Sequence, residues 1–171
     1  PSNTFQTTTA IGLREDLTDI IYMISPTATP FLSGIGREEA TAVLHEWQTL
    51  ALTAPGVNAQ VEGDDAATDA ALASVRLNNR TQIMTKVPRV SGTMQAVVKA
   101  GRTDELAYQI AQMGKILKNE LELALLANTA KSAGSASTAR YLAGVPTWLK
   151  DNVDRGAGGS NPTGDGSNTA T

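Results

Sequence analysis

The sequence offers few side chains that could perform catalysis. It contains no cysteine, and its only histidine, His45, is followed directly by Glu46. Adjacent residues of a strand point to opposite faces, so this pair cannot easily act as a base and the carboxylate that orients it. We therefore interpret His45 as a structural residue, and we predict no catalytic residue and no enzymatic activity.

The acidic residues of the middle of the chain are the one candidate metal site. Oxygen ligands suit divalent cations, but the spacing of these carboxylates is not that of an EF-hand loop and no histidine supports them. A solvated acidic loop tip is the favoured interpretation of Glu62, Asp64, Asp65 and Asp69. The glycines from Gly134 to Gly144 match neither a phosphate-binding loop nor a dinucleotide fingerprint. We predict no metal and no cofactor.

The composition predicts a thin hydrophobic core. Only 4% of the 171 residues are aromatic, and alanine makes up much of the 41% that are hydrophobic. Apolar burial contributes roughly 25 cal/mol per Å², and large side chains supply most of the area, so this chain is poorly suited to stabilise itself alone. No apolar run approaches the roughly 20 residues of a membrane helix. An oligomer made in the cytoplasm, with no membrane partner, is the expectation.

Alternation of polar and apolar residues predicts two strands, one from Thr41 to Leu52 and one from Val75 to Val87. On the first, His45 and Trp47 share a face and Glu46 lies on the other. We expect the strands to pair antiparallel. The stretch from 53 to 74 between them is longer than most loops of compact domains, which favours an arm-like hairpin and leaves a flexible surface loop as the alternative.

A long helix is predicted from about Asp104 to Ala130, capped by Thr103. Its expected buried face carries Leu106, Ile110, Met113, Leu117, Leu121 and Ala124, and the stretch from 123 to 127 is apolar all round. A shorter helical pattern ends before Pro26 and carries Leu13, Leu17, Ile20, Ile21 and Ile24, and an extended turn is expected at 29–31. Residues 156–171 hold almost nothing that could be buried, and a chain ending there is expected to be interrupted.

Charge is distributed unevenly along the predicted hairpin. The acidic tip is followed by six basic residues with no acid between them, namely Arg76, Arg80, Lys86, Arg89, Lys99 and Arg102. Opposite charges at the two ends of one element suit head-to-tail contact between copies of the chain. Two alternatives remain open: solvated strand faces, and a basic stripe that binds phosphates and loses affinity as salt rises.

Several motifs, in order, resemble one known protein family. They are Gly12-Leu13-Arg14-Glu15-Asp16-Leu17, Thr29-Pro30-Phe31-Leu32-Ser33-Gly34-Ile35-Gly36, His45-Glu46-Trp47-Gln48-Thr49, Glu62-Gly63, Asn79-Arg80-Thr81-Gln82-Ile83, Asn119-Glu120-Leu121-Glu122, and Arg140-Tyr141-Leu142-Ala143-Gly144-Val145 with Trp148. They cover the chain up to about Asn152 and are similar to the opening part of major capsid proteins of tailed bacteriophages.

This resemblance implies an α+β fold of the Hong Kong 97-like capsid type, with an N-terminal arm, a long β-hairpin extended loop and a long spine helix. The implied division is an arm at 1–36, the hairpin and its flanking strands at 37–102, and a peripheral domain at 103–152 whose spine helix covers 104–130. Residues 153–171 would be a Gly/Ser-rich linker into an axial domain that is missing or truncated here.

The resemblance also implies function. Subunits would assemble into hexamers and pentamers of an icosahedral head that encloses double-stranded DNA, and the protein would reside in the virion. Portal, scaffolding and decoration proteins are further partners to expect. Because no lysine precedes Lys86, we predict a shell without the lysine crosslinks of some relatives. The predicted inter-subunit residues are Trp47, Glu62, Asp64, Asp65, Arg76, Arg80 and Ile83.

Two other functions remain as alternatives. One is a nucleic-acid-binding or DNA-packaging protein that uses the basic segment 76–102, and its hallmark would be salt-dependent binding to DNA. The other is an enzyme whose site lies in a C-terminal part beyond these residues, which would need a pocket with convergent polar groups.

Overall fold

The computed structural model describes residues 21–65 and 68–171. Within them the helices are α1 (Pro30–Gly34), α2 (Gly92–Ala96) and α3 (Glu105–Leu126), the strands are β1 (Leu44–Thr49) and β2 (Val75–Arg80), and a single 3-10 turn covers Val145–Thr147. This mixture of helix and sheet is compatible with the predicted α+β class. None of the described helices is long and apolar enough to cross a membrane. The contacts divide the chain into two units, 1–28 with 85–118, and 29–84 with 119–171.

The first unit contains α2 and the start of α3. Ser91 caps α2 by accepting a hydrogen bond from the backbone N–H of Met94, and the Lys99 ammonium donates to three carbonyls at the end of this helix. The carboxylate of Asp104 accepts a hydrogen bond from the N–H of Ala107 at 2.9 Å. Asp104, and not the predicted Thr103, is therefore the cap of α3, because its oxygen reaches the third N–H of the helix.

The burial predicted for α3 is wrong in part. Leu106 and Ile110, expected on the buried face, are 42% and 55% exposed. Leu123 and Leu126, which lie in the stretch that is apolar all round and implies deeper burial, are 69% and 46% exposed. The helix also ends at Leu126, earlier than Ala130. Its apolar residues follow a helical period correctly, but no described element covers them fully.

The two-stranded sheet lies in the second unit and confirms the antiparallel pairing, with Trp47 opposite Leu77 and His45 opposite Asn79. Both strands are shorter than predicted. The last bond of the ladder joins the N–H of Thr81 to the carbonyl of Val43. The chain bends at residues 42 and 43, so residues after Thr81 have no strand opposite them, and the continuation to Val87 was predicted wrongly.

The chain before β1 also departs from the prediction. The expected extended turn at 29–31 is the start of α1, where Pro30 occupies the first turn and needs no partner for an N–H that it lacks. The free N–H groups of Phe31 and Leu32 donate to the Glu122 carboxylate at 3.4 and 3.3 Å. Of the earlier helical pattern, residues 13–20 lie outside the described residues, and 21–24 are not helical.

The C-terminal segment is ordered, so the expectation that residues 156–171 could bury almost nothing is wrong. Ala170 is 8% exposed, and Pro162 and Gly166 are also buried. The Asn128 amide donates to the carbonyl of Ala170 at 2.6 Å and accepts from its N–H at 3.0 Å. Small residues are buried here because one side-chain amide supplies both hydrogen bonds that the backbone of Ala170 would otherwise lack.

A compact turn precedes that contact and is built around Asp165. Its carboxylate accepts hydrogen bonds from the hydroxyl and the N–H of Ser167 and from the hydroxyl of Thr163. These donors lower the pKa of Asp165 from 3.8 to about 2, with the Ser167 hydroxyl as the largest cause. All three bonds favour the ionised form of the carboxyl group.

The lowered pKa of Asp165 predicts how stability depends on pH. A carboxyl group with a lowered pKa in the folded state stabilises the fold fully above its unfolded pKa, near 3.8, and this contribution is lost as the pH falls through about 2. Urea unfolding of the full-length protein should show Asp165→Asn less stable than the wild type at a pH near 5, and the gap should close between about 4 and 2. A gap that is independent of pH would contradict this account, and exposed Asp151→Asn serves as the matched control.

Candidate functional site

The candidate site is the hairpin formed by β1, β2 and the loop between them. At its base, the Trp47 ring lies 5.9 Å from the ring of His45 and 5.3 Å from that of Trp148. The side chains of His45 and Trp47 thus share one face of β1, as the alternation predicted, while Glu46 is exposed on the other. Ring contacts at these distances are worth about 0.5–1.5 kcal/mol beyond the area that they bury.

Hydrogen bonds from side chains to the backbone hold β2 to the segment around Ala143. The Asn79 amide accepts from the N–H of Ala143 at 2.9 Å and donates to its carbonyl at 3.3 Å. The side-chain amide oxygen of Gln82 accepts from the N–H of Leu142. Ala143 is 4% exposed, so its backbone groups depend on Asn79 in place of water, and its carbonyl also accepts from the indole N–H of Trp148 at 3.5 Å.

Lys131 joins β2 to the C-terminal segment. Its ammonium donates to the carbonyl and the side-chain oxygen of Asn78 at 3.0 and 2.8 Å, and to the carbonyl of Asp165 at 2.8 Å. All three donors of the ammonium group are therefore used. The same nitrogen lies 5.9 Å from the centre of the Trp148 ring, where a cation is attracted to the aromatic face.

We call Trp47, Asn79, Lys131, Ala143 and Trp148 the hairpin base. Sequence reasoning placed Trp47 and Trp148 on apolar segments but missed the roles of Asn79 and Lys131, since nothing in a single polar residue reveals a partner 64 or 53 positions away. The Gly164-Asp165-Gly166 turn could have been recognised from its Asp-Gly step.

The loop beyond the hairpin base contrasts with it. Every described residue from 50 to 74 is exposed, and Val57 is 99% exposed. A turn at Glu62 and Gly63, where Gly63 has a φ of +88°, sets the tip, and the Asp64 N–H donates to the carbonyl of Val61. Within the part of the chain that the structure describes, no ion pair involves Glu62, Asp64 or Asp65.

The predicted inter-subunit residues therefore occupy different settings. Glu62, Asp64 and Asp65 lie together on the exposed tip, and Ile83 is 76% exposed. Arg76 forms an exposed pair with Glu46 at 3.8 Å, and Arg80 is half-buried. Trp47 already packs against Trp148 within its own chain. The part that each of these residues takes in contacts between subunits stays a prediction.

The side chains of His45 and Glu46, the pair considered for catalysis, lie apart on the described part of the hairpin. His45 lines a hollow of about 410 Å³ together with Glu38, Arg80 and Leu142. Its neighbour Glu46 pairs with Arg76 and is exposed on the opposite face, so the two do not form a dyad. Among the residues described, no three histidine, aspartate or glutamate side chains are grouped in a way that could hold a metal ion.

Asn79 provides a test of the hairpin base. In Asn79→Asp the carboxylate would still accept from the N–H of Ala143 but could not donate to its carbonyl, which would keep the bond from Trp148 Nε1 at 3.5 Å. A hydrogen bond contributes about 0.5–1.5 kcal/mol, so urea unfolding of the unassembled full-length protein should show a loss of about 1 kcal/mol. The control Asn58→Asp lies in the exposed loop and should change stability little. Equal losses in both variants would refute the role assigned to Asn79.

The sequence of this chain is similar to those of known capsid proteins. The family model described as SU10 major capsid protein matches residues 1–171. A curated relative, the major capsid protein of Escherichia phage Phieco32, is 38% identical over 122 residues, which cover 71% of this chain and 35% of the relative. The chain thus spans well under two thirds of that relative's length. By its match to the family model over the whole sequence, the chain belongs to the SU10 major capsid protein family.

Proposed function

We propose that this chain is part of a structural, non-catalytic subunit that self-assembles into the shell of a tailed-phage head. In this proposal, subunits with a Hong Kong 97-like fold form hexamers and pentamers around double-stranded DNA. Membership of a major capsid protein family and the mixed α+β architecture support it. The division into arm, extended loop, peripheral domain and linker is part of the same proposal.

The observation that carries the proposal is the exposed loop of the hairpin above the hairpin base. Its exposed large apolar side chains include Leu50, Leu52, Val57 and Val61, at 56%, 81%, 99% and 76% exposure. Burying such a side chain fully is worth roughly 1.5–3 kcal/mol. A single chain does not gain this free energy, whereas a hairpin lying across a second copy does, and that difference favours assembly.

Charge supports the same contact. The carboxylates of the tip lie free of ion pairs with described residues, while Arg76 forms an exposed pair with Glu46. Exposed pairs contribute about 0–1 kcal/mol, so Arg76 can exchange Glu46 for an acidic tip at little cost. Complementary charge of this kind sets the register and the choice of partner more than the affinity.

Other features of the shell follow from the capsid role alone. The subunit would be made in the cytoplasm of the bacterial host and would reside in the virion, where portal, scaffolding and decoration proteins are its further partners. DNA would be met without sequence specificity. The absence of lysine before Lys86 supports a shell without crosslinks through the hairpin tip.

The alternative of a dedicated nucleic-acid-binding segment at 76–102 is weaker. Arg76 pairs with Glu46, Lys99 donates to three backbone carbonyls, and Arg102 pairs with Glu105. These basic side chains have partners within the chain, which leaves fewer to neutralise phosphates.

Charge reversal at the tip tests the proposed contact. The full-length variant Glu62→Lys/Asp64→Lys/Asp65→Lys should give fewer closed shells or rings of five and six than the wild type, because the tip would repel the basic groups of the next copy. Negative-stain electron microscopy and light scattering measure the yield. The defect should be largest at low salt, since the screening length falls from about 30 Å at 0.01 M salt to about 3 Å at 1 M.

The matched control is Asp151→Lys, an exposed acidic residue outside the hairpin, which should assemble normally. Equal defects in the control and the tip variant would remove the hairpin from the interface. A wild-type protein that stays monomeric or dimeric under all assembly conditions would overturn the capsid proposal itself, and salt-dependent binding to DNA would then be tested.

A further inference from the structure

The outer edge of β1 carries backbone groups that point away from β2. Thr81 N–H donates to the carbonyl of Val43 at 3.0 Å, so these two residues form a hydrogen-bonded pair of the antiparallel ladder. Such pairs alternate along the strand, which directs the N–H and C=O of residues 45, 47 and 49 towards β2. The N–H and C=O groups of Leu44, Glu46 and Gln48 therefore face outward.

The two edges of this sheet differ. On the outer edge of β2, the carbonyl of Asn78 accepts from Lys131, and the N–H of Arg80 donates to the side chain of Asn79 at 2.8 Å. These side chains already occupy outward backbone groups of Asn78 and Arg80, which disfavours pairing with a further strand at that edge. On the described part of the chain the sheet has two strands only, so no third strand covers the edge of β1.

A second feature of the chain fits an open edge. The segment Ile21–Ile24 is neither helix nor strand, and its side chains are 46%, 75%, 49% and 95% exposed from Ile21 to Ile24. β-branched and aromatic residues are those enriched in strands. Four consecutive large apolar residues left exposed indicate a surface that a partner covers.

We propose that Ile21–Ile24 of one copy adds as a third strand along Leu44–Gln48 of a second copy. A strand rises about 3.3 Å per residue, so four residues extend about 13 Å and match the three outward residues of this edge. Backbone hydrogen bonds supply the affinity, and the alternating side chains set the register. The inference rests on the proposed assembly, because it requires two copies in contact.

The β1 strand of a second copy is a less suitable partner for the outer edge of β1 than the segment Ile21–Ile24. An antiparallel arrangement centred on this strand would place the Glu46 carboxylates of the two copies opposite each other, and like charges in directly opposed positions are destabilising. The segment at 21–24 carries no charge and meets no such repulsion.

Disulfide trapping tests the proposal, since the natural chain has no cysteine and gives no background. Full-length Ile24→Cys and Met23→Cys copies are each mixed with copies that carry Leu44→Cys, Glu46→Cys or Gln48→Cys, and the mixture is assembled and oxidised. A disulfide-linked dimer should form with one of the two probes more than with the other, because neighbouring residues of a strand point to opposite faces. Mixing with Arg76→Cys, on β2, should give none.

A chain that carries Ile24→Cys and Glu46→Cys together distinguishes contact between copies from contact within one. Disulfide-linked dimers in the mixtures support the proposal. A disulfide that closes within one monomer of the doubly substituted chain overturns it, and so do dimers that form with Arg76→Cys as readily as with Glu46→Cys. Assembled shells that contain no disulfide with any edge position overturn this inference but leave the capsid proposal intact. Disulfide-linked dimers from a protein that forms no shells would support strand addition but contradict the capsid proposal.

Proline substitution gives a second, independent measurement. Glu46→Pro removes an outward N–H, and so does Arg76→Pro on the other strand, while both abolish the same ion pair and leave the β1–β2 ladder bonds in place. One copy carries Leu44→Cys or Gln48→Cys together with one of the two proline substitutions, and the second copy carries Ile24→Cys or Met23→Cys. The disulfide between the copies should be lost with Glu46→Pro and kept with Arg76→Pro. Loss in both, or in neither, contradicts strand addition at this edge.

Discussion

The order of the two-stranded hairpin depends on side-chain contacts with residues 141–148, which support it in place of a third strand. Trp47 packs on Trp148, and the amide of Asn79 satisfies both backbone groups of Ala143. A two-stranded hairpin is marginally stable in water by itself. Without this support from residues 141–148, β1 and β2 would lack the packed face that keeps them paired. The two ends of the exposed loop would then not be held in position.

Two glycines permit the close approach on which this arrangement relies. A Cβ at Gly144 would lie 1.9 Å from the carbonyl oxygen of Ala127, and one at Gly166, whose φ is +73°, would lie 2.7 Å from the Trp148 ring. Side chains larger than hydrogen are excluded at both positions. The C-terminal segment thereby reaches Trp148 and presents the carbonyl of Asp165 to Lys131, so the hairpin and the end of the chain are joined through one ammonium group.

The described residues place little apolar side-chain area out of solvent. The buried residues among them include few large apolar side chains, Leu32 being one and Ala143, Pro162 and Ala170 being small, while both the hairpin loop and the face of α3 leave large side chains exposed. Apolar burial is the main favourable term in folding and in most association, so in the proposed assembly these exposed side chains would contribute favourable free energy on contact with a neighbouring copy. The exposed apolar surface is compatible with membership of a major capsid protein family.

The sequence by itself determined the elements that depend on local pattern. The alternation around Trp47 and the helical period from Leu106 predicted a strand and a helix at the right places, and the ordered motifs led to the correct family. Their limits were less accurate, because a strand ends where its partner ends, as at Thr81. Only the tertiary structure decided the rest. Burial in the Gly/Ser-rich C-terminal segment, the support of β2 by Asn79 and Lys131 and the difference between the two edges of the sheet all depend on hydrogen bonds between residues far apart in the chain, which composition and periodicity do not encode.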